Sequence, residues 1–535
     1  MSDIISDEEN NHRIITDVLI IGCGISGSVA ALELARNPDI QVTLVTRNED
    51  PRESNTYYAQ GGIVYTAADD SVELLTEDIL RAGDWMNNRN AVGILAREGP
   101  NLVRRILIDE QGIAFDGSGG EANPHRTREA AHSRSRIIHV RDATGKAIQE
   151  ALIEALRAQP NIALLTANTA VDLLTPAHHS RNRLAIYEPL SCVGAYVFDQ
   201  QRKRVVTILS KATVLASGGL GQVFLHTTNP EGARGDGLAM AYRAGARIIN
   251  AEYVQFHPTA FCHRHYARFV ITESVRGEGA SLVNASGEPF MRKYAPEWGD
   301  LAPRDEVARG IHEEMLETGS DCVYLDLRSH IPAERIKERF PTVYDSCLEY
   351  GVDATRELVP VVPAAHYFCG GAWVDEYGRT NLRRLYAVGE VSCTGVHGAN
   401  RLGSVSLLEG VVWGYRAAQH IAANLSNEFP LAPDDVPSWQ DESVTGYADP
   451  VLVRQDMALI KQIMWYYVGL VRTTPRLARA MRDLNALRED VNIFYHTQRI
   501  NDELIGLRNS VLAATVITRA AWANKESHGC HYREG

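Results

Sequence analysis

A glycine motif near the N-terminus is the first group of residues whose spacing could do chemistry. It reads G-x-G-x-x-G and consists of Gly22, Cys23, Gly24, Ile25, Ser26 and Gly27. An apolar, β-branched run (17–21) precedes it, and a helix-forming segment and a second apolar run (41–45) follow. The first glycine permits a tight turn, the second lets backbone N–H groups approach a diphosphate at a helix N-terminus, and the third allows close helix–strand packing. In this context the motif predicts a dinucleotide site.

The residues at the end of the second predicted strand bear on which dinucleotide cofactor the chain binds. NAD-binding folds carry an acidic residue there for the ribose, whereas this chain has Thr46 and Arg47. An ordinary NAD site is therefore disfavoured, and Arg47 is expected to contact the adenosine or diphosphate part of another cofactor. Further glycine turns at 211–219, 233–237 and 385–390 predict one nucleotide domain that is interrupted by a large insertion.

Length and charge exclude several other functions. The chain has 535 residues and a formal net charge of −13. This length predicts about two to four domains, and the acidic balance argues against a nucleic-acid partner. The N-terminus is acidic, unlike a signal peptide, and the most apolar stretch is interrupted by polar residues and glycines. We therefore expect a cytoplasmic protein without a membrane partner.

Metal-binding patterns are weak in this sequence. The eight cysteines are scattered without a CxxC pair, which disfavours zinc and iron–sulfur sites. Free thiols are expected in a reducing compartment. His263 and His265 have the spacing of a metal pair, but no carboxylates lie near them in the sequence. They are expected to be exposed residues of the inserted segment, and no metal site is predicted.

Seven further segments, in order along the chain, carry a family resemblance. They are NTYYAQGGI (55–63), TTNP…ARGDG (227–237), FHPT (256–259), ITESVRGEGA (271–280), PRD (303–305), HYFCGG (366–371) and GANRLGSVSLLEG (398–410). In these segments the chain resembles the flavoprotein superfamily of succinate dehydrogenase, fumarate reductase and L-aspartate oxidase. The resemblance extends from about residue 17 to 532 and implies FAD as the cofactor, one per chain.

Three features resemble the L-aspartate oxidase branch of that superfamily. Asn55 stands where the respiratory enzymes have a histidine with covalent FAD, so non-covalent FAD is implied. Glu129 stands where the dicarboxylate enzymes have an apolar residue; a carboxylate there would pair with the ammonium group of aspartate and repel succinate. From about residue 437 the chain resembles the short helical domain of this branch, and not the longer region that docks an iron–sulfur partner.

The resemblance implies an enzyme that oxidises L-aspartate to iminoaspartate by hydride transfer to FAD. O2, giving H2O2, or fumarate would reoxidise the flavin. The reaction would begin quinolinate and hence NAD synthesis, with functional coupling to quinolinate synthase. Two alternatives stay open: a soluble fumarate reductase or succinate dehydrogenase flavoprotein subunit, and a non-catalytic FAD-binding subunit that needs a partner.

The implied fold has three parts. It is an α/β FAD-binding Rossmann-like domain (1–248 and 367–436), an inserted α+β capping domain (249–366) and a C-terminal helical bundle domain (437–535). Apolar residues at helical spacing predict helices at 452–468, 477–491 and 502–525. A β-meander is expected near 185–211 and a Pro-rich linker at 429–439.

The site residues follow from the matched motifs, because a lone histidine or arginine is more often structural. Aspartate needs two cationic or donor groups for its carboxylates and one anion for its ammonium. The implied substrate-binding residues are Arg401, His366, His257 and Thr272, and the implied catalytic residues are Glu129 and Arg304. The implied cofactor-binding residues are the six of the glycine motif with Arg47, Asn55, Thr56, Tyr57, Tyr58, Ala59, Gln60, Gly61, Gly62, Asp236, Glu390, Ser406 and Leu407.

Arg304 matches the proton-transfer arginine of the superfamily. A guanidinium is almost always charged and is therefore a poor base. For aspartate oxidation the simpler hypothesis is hydride transfer from Cα while the ammonium loses its proton, with Arg304 positioning the substrate and stabilising charge.

The sequence departs from the pattern of the branch at three places. It has Ala130 and Ala131, Val405 and Phe368 where GGHS, SNS and HYTCGG are usual. The alanines are expected to stiffen the loop that holds Glu129, and Val405 removes an amide near the flavin. No catalytic side chain is lost.

Overall fold

The computed structural model describes residues 13–67, 69–117, 124–129, 131–262, 269–426, 429, 431, 433–440, 444 and 446–534. Its strands are β1 Arg13–Ile21, β2 Val42–Val45, β3 Ile63–Val64, β4 Ile137–Ile138, β5 Ile162–Leu165, β6 Asn168–Leu173, β7 Gly194–Asp199, β8 Arg204–Leu215, β9 Ile248–Ile249, β10 Val254–Phe261, β11 Ser281–Val283, β12 Val323–Asp326, β13 Val359–Phe368, β14 Gly371–Trp373, β15 Leu385–Ala387, β16 Ser392–Cys393, β17 Gly446–Tyr447, β18 Arg472–Thr473, β19 Gln498–Arg499 and β20 Arg533–Glu534.

The helices alternate with these strands in the first part of the chain and follow one another at its end. They are α1 Ile25–Ala35, α2 Val72–Ala82, α3 Arg89–Leu102, α4 Thr144–Ala158, α5 Pro176–His179, α6 Asp236–Arg243, α7 Ser274–Gly277, α8 Met291–Tyr294, α9 Arg304–Thr318, α10 Ala333–Arg339, α11 Pro341–Glu349, α12 Ser406–Asn424, α13 Pro450–Val468, α14 Thr474–Thr497 and α15 Asp502–Ala523.

A seven-stranded sheet forms the core of the nucleotide part. Its order is β5-β2-β1-β8-β7-β6, and β15 also pairs with β8. The strands β5, β2, β1, β8 and β15 are parallel, and Val18 of β1 lies between Val42 and Ala212. These central strands are apolar along their length because helices such as α1, which packs against α4 and α12, cover the sheet.

The expected β-meander lies earlier in the chain than predicted. It consists of β6, β7 and β8, which pair in antiparallel order from residue 168 onward. Arg183–Tyr187 is a short 3₁₀ helix instead of a strand. The side chain of Asn182 accepts a hydrogen bond from the backbone N–H of Leu184, and this cap favours a helical turn there.

A second, antiparallel sheet belongs to the inserted segment. Its order is β10-β13-β12-β11, and it packs with α7 to α11 around a separate apolar cluster that includes Phe261, Val307 and Phe340. His263 and His265 lie outside the described residues, as does Ala130. The domain boundaries stay predictions, and β13 continues across the expected boundary at 366/367.

The C-terminal part is helical, as predicted. Asp449, Thr473 and Asn501 cap α13, α14 and α15, each by accepting a backbone N–H of the first turn. The apolar faces of these helices share one cluster with residues of the nucleotide part, such as Val171 and Phe224. Within the predicted linker, residues 430 and 432 lie outside the described residues, and Pro433–Asp435 form a 3₁₀ turn.

Two general properties bear on the expected functions. Among the helices of the described residues, none combines the length and the apolar character that a bilayer span requires. The described residues contain no cluster of three or more His, Cys, Asp or Glu side chains that could hold a metal ion.

Candidate functional site

A cavity of about 270 Å³ extends from the glycine turn after β1 to the antiparallel sheet. All six predicted substrate-binding and catalytic residues border it: Glu129, His257, Thr272, Arg304, His366 and Arg401. Most of the predicted cofactor-binding residues border it as well, namely Gly22, Cys23, Gly24, Ile25, Ser26, Arg47, Asn55, Thr56, Tyr58, Ala59, Gln60, Gly61, Gly62, Asp236, Glu390, Ser406 and Leu407. Of the predicted set, Gly27 and Tyr57 are not part of this lining.

The glycine motif leaves a helix N-terminus open to the cavity. Gly22 has a φ of 109° and a Cβ there would lie 2.2 Å from the carbonyl oxygen of Ala216. A Cβ at Gly27 would lie 2.0 Å from the carbonyl oxygen of Gly22, so this glycine serves packing, as its position in the motif predicts. Gly24 is the N-cap of α1 and supplies no side chain to its N–H groups. The N–H of Ile25 already donates to Oγ1 of Thr56 at 3.0 Å, and the next N–H groups of the first turn can bind an anionic group.

Glu390 joins three separate segments beside the cavity. Its Oε2 accepts a hydrogen bond of 2.8 Å from Nδ2 of Asn55, and its Oε1 accepts one of 2.9 Å from the backbone N–H of Phe368. Burial raises the pKa of Glu390 to about 7. The contact to residue 368 uses the backbone, so the phenylalanine that departs from the family pattern does not disturb it.

Several buried polar atoms at this end of the cavity have no hydrogen-bond partner among the described residues. They are Oδ1 of Asn55, Oε1 of Gln60 and Oγ of Ser217. Buried polar atoms are nearly always paired, so these atoms indicate a ligand with many polar groups. Together with the open helix N-terminus, they fit the diphosphate and hydroxyl groups of FAD. Ser217 was not among the predicted residues, although it lies in the glycine turn at 211–219.

Arg47 differs from the expectation. It borders the cavity, but its guanidinium is bound by the carboxylate of Asp502, with hydrogen bonds of 2.8 to 3.1 Å from Nε and Nη2. The guanidinium of Arg47 was expected to contact the cofactor, but its positive charge is paired with the carboxylate of Asp502 on α15. A direct role of Arg47 in cofactor binding stays a prediction.

At the other end of the cavity, Arg401 is a buried cation without an ion pair among the described residues. Its Nη1 donates to Oγ of Ser406 at 2.9 Å and its Nε donates to Oε1 of Gln255 at 3.3 Å. Its guanidinium lies 4.6 Å from the ring centroid of Tyr367. All these partners are neutral, and burying an uncompensated charge is costly. The site is therefore suited to an incoming carboxylate.

Arg304, the first residue of α9, is held by Glu273. Its Nε and Nη2 each lie 3.0 Å from Oε2 of Glu273, and its Nη1 donates to Oε1 of Gln255 at 3.2 Å. Nη2 of Arg276 lies 3.1 Å from the other carboxylate oxygen. Burial opposes the charged form of Glu273, but Arg304 and Arg276 outweigh it and keep the pKa of Glu273 below its ordinary value.

Glu273 and Gln255 are two further residues of the site that were not predicted from the sequence. Glu273 lies within the matched segment 271–280, directly after the predicted Thr272, so a signal was present. Gln255 directly precedes the matched segment 256–259, and its buried amide bridges Arg304 and Arg401 through one oxygen. Its role could be recognised only from the structure.

Glu129 is buried close to Arg304. Its Oε2 accepts a hydrogen bond of 2.8 Å from Oγ of Ser404. A Cβ at Gly403 would lie 2.8 Å from that same oxygen and 3.2 Å from Nη2 of Arg304, so the glycine leaves room at this point. Burial raises the pKa of Glu129, and the nearby Arg304 only partly opposes this shift. Ala131, two residues after Glu129, has a φ of 63°, which an alanine adopts at a higher cost than the glycine usual in the family.

His257 and His366 face each other with ring centroids 5.1 Å apart. Burial and then the nearby arginines lower the pKa of both rings well below its ordinary value, so both are neutral. Nδ1 of His257 accepts the backbone N–H of Thr259 at 3.2 Å, which leaves its proton on Nε2 as a donor. Nδ1 of His366 shares a hydrogen bond of 2.8 Å with Oγ1 of Thr228.

The chain is similar to known flavoproteins over most of its length. Residues 17–407 match the family described as FAD binding domain, and residues 457–535 match the family described as fumarate reductase flavoprotein C-term. The chain is 43% identical over 528 residues to the L-aspartate oxidase of Yersinia pestis. This alignment covers 98% of this chain and 96% of that protein. It is 43% identical over 525 residues to the L-aspartate oxidase of Pseudomonas aeruginosa, with 96% and 94% covered.

A solved structure is also similar. The FrdA chain of E. coli quinol fumarate reductase aligns with a TM-score of 0.86 and 27% identity over 98% of this chain and 92% of that chain. These similarities confirm the predicted fold class and confirm FAD as the cofactor.

Proposed function

The chain belongs to the L-aspartate oxidase family of FAD-binding flavoproteins, and from this premise we propose that it oxidises L-aspartate to iminoaspartate at the arginine-rich end of the cavity. Glu129 is the observation that carries the proposal. Its carboxylate is buried beside Arg304, which is already paired with Glu273. Burial raises the pKa of Glu129, and Arg304 only partly opposes this shift. The ammonium group of an amino acid would supply the missing positive charge.

The charges of the site match those of aspartate. Arg401 has only neutral partners among the described residues, so it binds one substrate carboxylate, with His366 beside it. The second carboxylate accepts from Nε2 of His257 and from Thr272. Because both rings are neutral, they act as hydrogen-bond donors and add no further charge. Glu129 then binds the ammonium.

The reaction removes a hydride from Cα and one proton from the nitrogen of aspartate. Bound FAD supplies the hydride acceptor. Residues of the protein accept the proton and position the substrate. Glu129, whose pKa is raised by burial, accepts the proton that the ammonium must lose. Because Glu273 and Gln255 hold its guanidinium, Arg304 fixes the carboxylate near Cα and stabilises the charge that develops.

FAD is held without a covalent bond in this proposal. Asn55 is an amide, which is not a nucleophile, and its Nδ2 already donates to Glu390. The unpartnered Oδ1 of Asn55 and the open N-terminus of α1 support direct polar contacts to the cofactor. The backbone at Ser406 and Leu407, at the start of α12, is suited to the pyrimidine edge of the flavin ring.

O2, which would give H2O2, or fumarate would serve as the electron acceptor. Fumarate is a dicarboxylate and could use the same Arg401 clamp after iminoaspartate has left. The product would feed a quinolinate-forming enzyme in the cytoplasm, and functional coupling to quinolinate synthase is part of this proposal.

An anaerobic flavin assay tests the proposal against its main alternative. Purified enzyme is mixed with L-aspartate or with succinate, and the loss of the oxidised flavin absorbance is followed. Bleaching by L-aspartate is expected, and bleaching by succinate alone would establish the succinate dehydrogenase or fumarate reductase alternative instead. In air, H2O2 formation by the purified chain with L-aspartate would exclude a non-catalytic subunit that needs a partner.

A further inference from the structure

One carboxylate ties the C-terminal helices to the wall of the FAD cavity. Asp502 is the first residue of α15 and is buried. It accepts hydrogen bonds from Arg47 at 2.8 to 3.1 Å and from Arg234 at 3.0 and 3.1 Å. Oγ1 of Thr169 donates to its Oδ1 at 2.7 Å.

The three partners of Asp502 come from three different wall segments of the same end of the cavity. Arg47 follows β2, Thr169 lies at the start of β6, and Arg234 precedes α6. Arg47 and Thr169 border the cavity directly, and Arg234 lies between the bordering residues Ala233 and Asp236. In a dinucleotide fold the end of the second strand lies at the ribose of the cofactor. Asp502 therefore joins the walls at the adenosine end.

The charges make this junction specific. The buried Arg234 and the half-buried Arg47 converge on one carboxylate, and Asp236 is the further acidic partner of Arg234, at 2.9 Å. Removing the negative charge of Asp502 would leave Arg47 without an ion pair among the described residues. Its guanidinium would then be free to turn into the cavity or into solvent, because 26% of its side chain is already exposed and hydration stabilises an unpaired cation.

We infer that Asp502 is a positioning residue for FAD, through which the C-terminal helical part holds the adenosine end of the cofactor site in shape. The inference rests on FAD as the cofactor and does not depend on aspartate being the substrate. A second carboxylate provides a matched control. Asp172 also binds two arginines, Arg508 of α15 at 2.7 Å and Arg243, but it does not border the cavity.

The test measures the dissociation constant of FAD by flavin fluorescence, with the full chain stripped of its cofactor. Asp502→Asn should raise the dissociation constant about 10-fold, which corresponds to the loss of one charged hydrogen bond. Asp172→Asn should change it less than about two-fold, although both variants lower the melting temperature of the apoprotein. An unchanged dissociation constant in Asp502→Asn, or an equal rise in Asp172→Asn, would overturn the inference.

Two further variants keep the test decisive if Asp502→Asn does not fold. Thr169→Val removes one hydrogen bond to Asp502 and leaves every charge in place, and it should raise the dissociation constant about two- to three-fold. Arg47→Gln combined with Thr169→Val should show less than additive effects, because both act through the same carboxylate. No effect of Thr169→Val, or strictly additive effects, would overturn the inference. The titration contains no substrate, so its outcome is independent of the aspartate assay.

Discussion

Oγ of Ser404 donates a hydrogen bond of 2.8 Å to Oε2 of Glu129, and the two residues are 275 positions apart in the sequence. The serine directs the carboxylate toward the cavity without neutralising it. The nucleotide fold does not distinguish an amino-acid substrate from other dicarboxylates. The carboxylate of Glu129 can distinguish them, so substitutions at Glu129 test the substrate assignment.

Glu129→Gln should lower kcat/KM for L-aspartate about 10- to 100-fold, because it removes a charged hydrogen bond to the ammonium group. Fumarate has no ammonium, so fumarate reduction should be affected less and the preference should shift toward dicarboxylates. Steady-state kinetics with both substrates measure the shift. Ser404→Ala is the control: it keeps the carboxylate and should cost less. Equal losses with aspartate and fumarate would contradict the assignment.

Arg304→Leu should lower kcat about 100- to 1000-fold, the usual cost of removing a group that stabilises developing charge. FAD should remain bound, because the described contacts of Arg304 are to Glu273 and Gln255. Turnover and the flavin absorbance per chain are measured together. Arg304→Lys keeps the charge but loses the planar fork, and it should retain part of the activity. Full turnover in the leucine variant would remove Arg304 from the mechanism.

The raised pKa of Glu390 predicts a pH-dependent stability of the apoprotein. With a pKa of about 7 in the folded state and an ordinary pKa of 4.5 for the free side chain, the folded state binds more protons than the unfolded state between these two pH values. Its contribution to stability is therefore present at low pH and is lost as the pH rises through about 7. Glu390→Gln should raise the unfolding free energy relative to the parent at pH 8 by roughly 1–3 kcal/mol, and less at pH 5.

Urea unfolding of the apoprotein at both pH values measures this difference. Asn55→Asp is the companion variant: it places a second carboxylate beside Glu390 and should increase the loss of stability at high pH. A Glu390→Gln variant whose advantage is the same at both pH values would show that Glu390 is ionised throughout this range.

Gly27→Ala should destabilise the nucleotide part, because the added Cβ would meet the carbonyl oxygen of Gly22 at 2.0 Å. Backbone atoms cannot move aside easily, so the expected cost is about 1–3 kcal/mol with weaker FAD retention. Gly277→Ala is the matched control, because nothing lies within 4 Å of a Cβ at that position. Thermal unfolding with and without FAD compares the two variants. An equal change in both would show that the contact at Gly27 is not tight.

The sequence by itself determined the nucleotide fold and, through its family motifs, the cofactor and many of the residues that border the cavity. Glycine spacing and apolar runs report local backbone conformation, and the matched motifs place their residues in order along the chain. For this reason the glycine turn was predicted with its helix and strands, and Glu129, Arg304 and Arg401 were expected at one site that the structure does bring together.

Only the tertiary structure decided which charges pair. Arg47 was expected at the cofactor and is bound to Asp502, which lies 455 positions away in the sequence. Glu273 and Gln255 were not singled out, although they hold Arg304. The physical reason is that an arginine side chain reaches several partners from one backbone position. Packing of elements that are distant in sequence, and the cost of burying an unpaired charge, select among those partners.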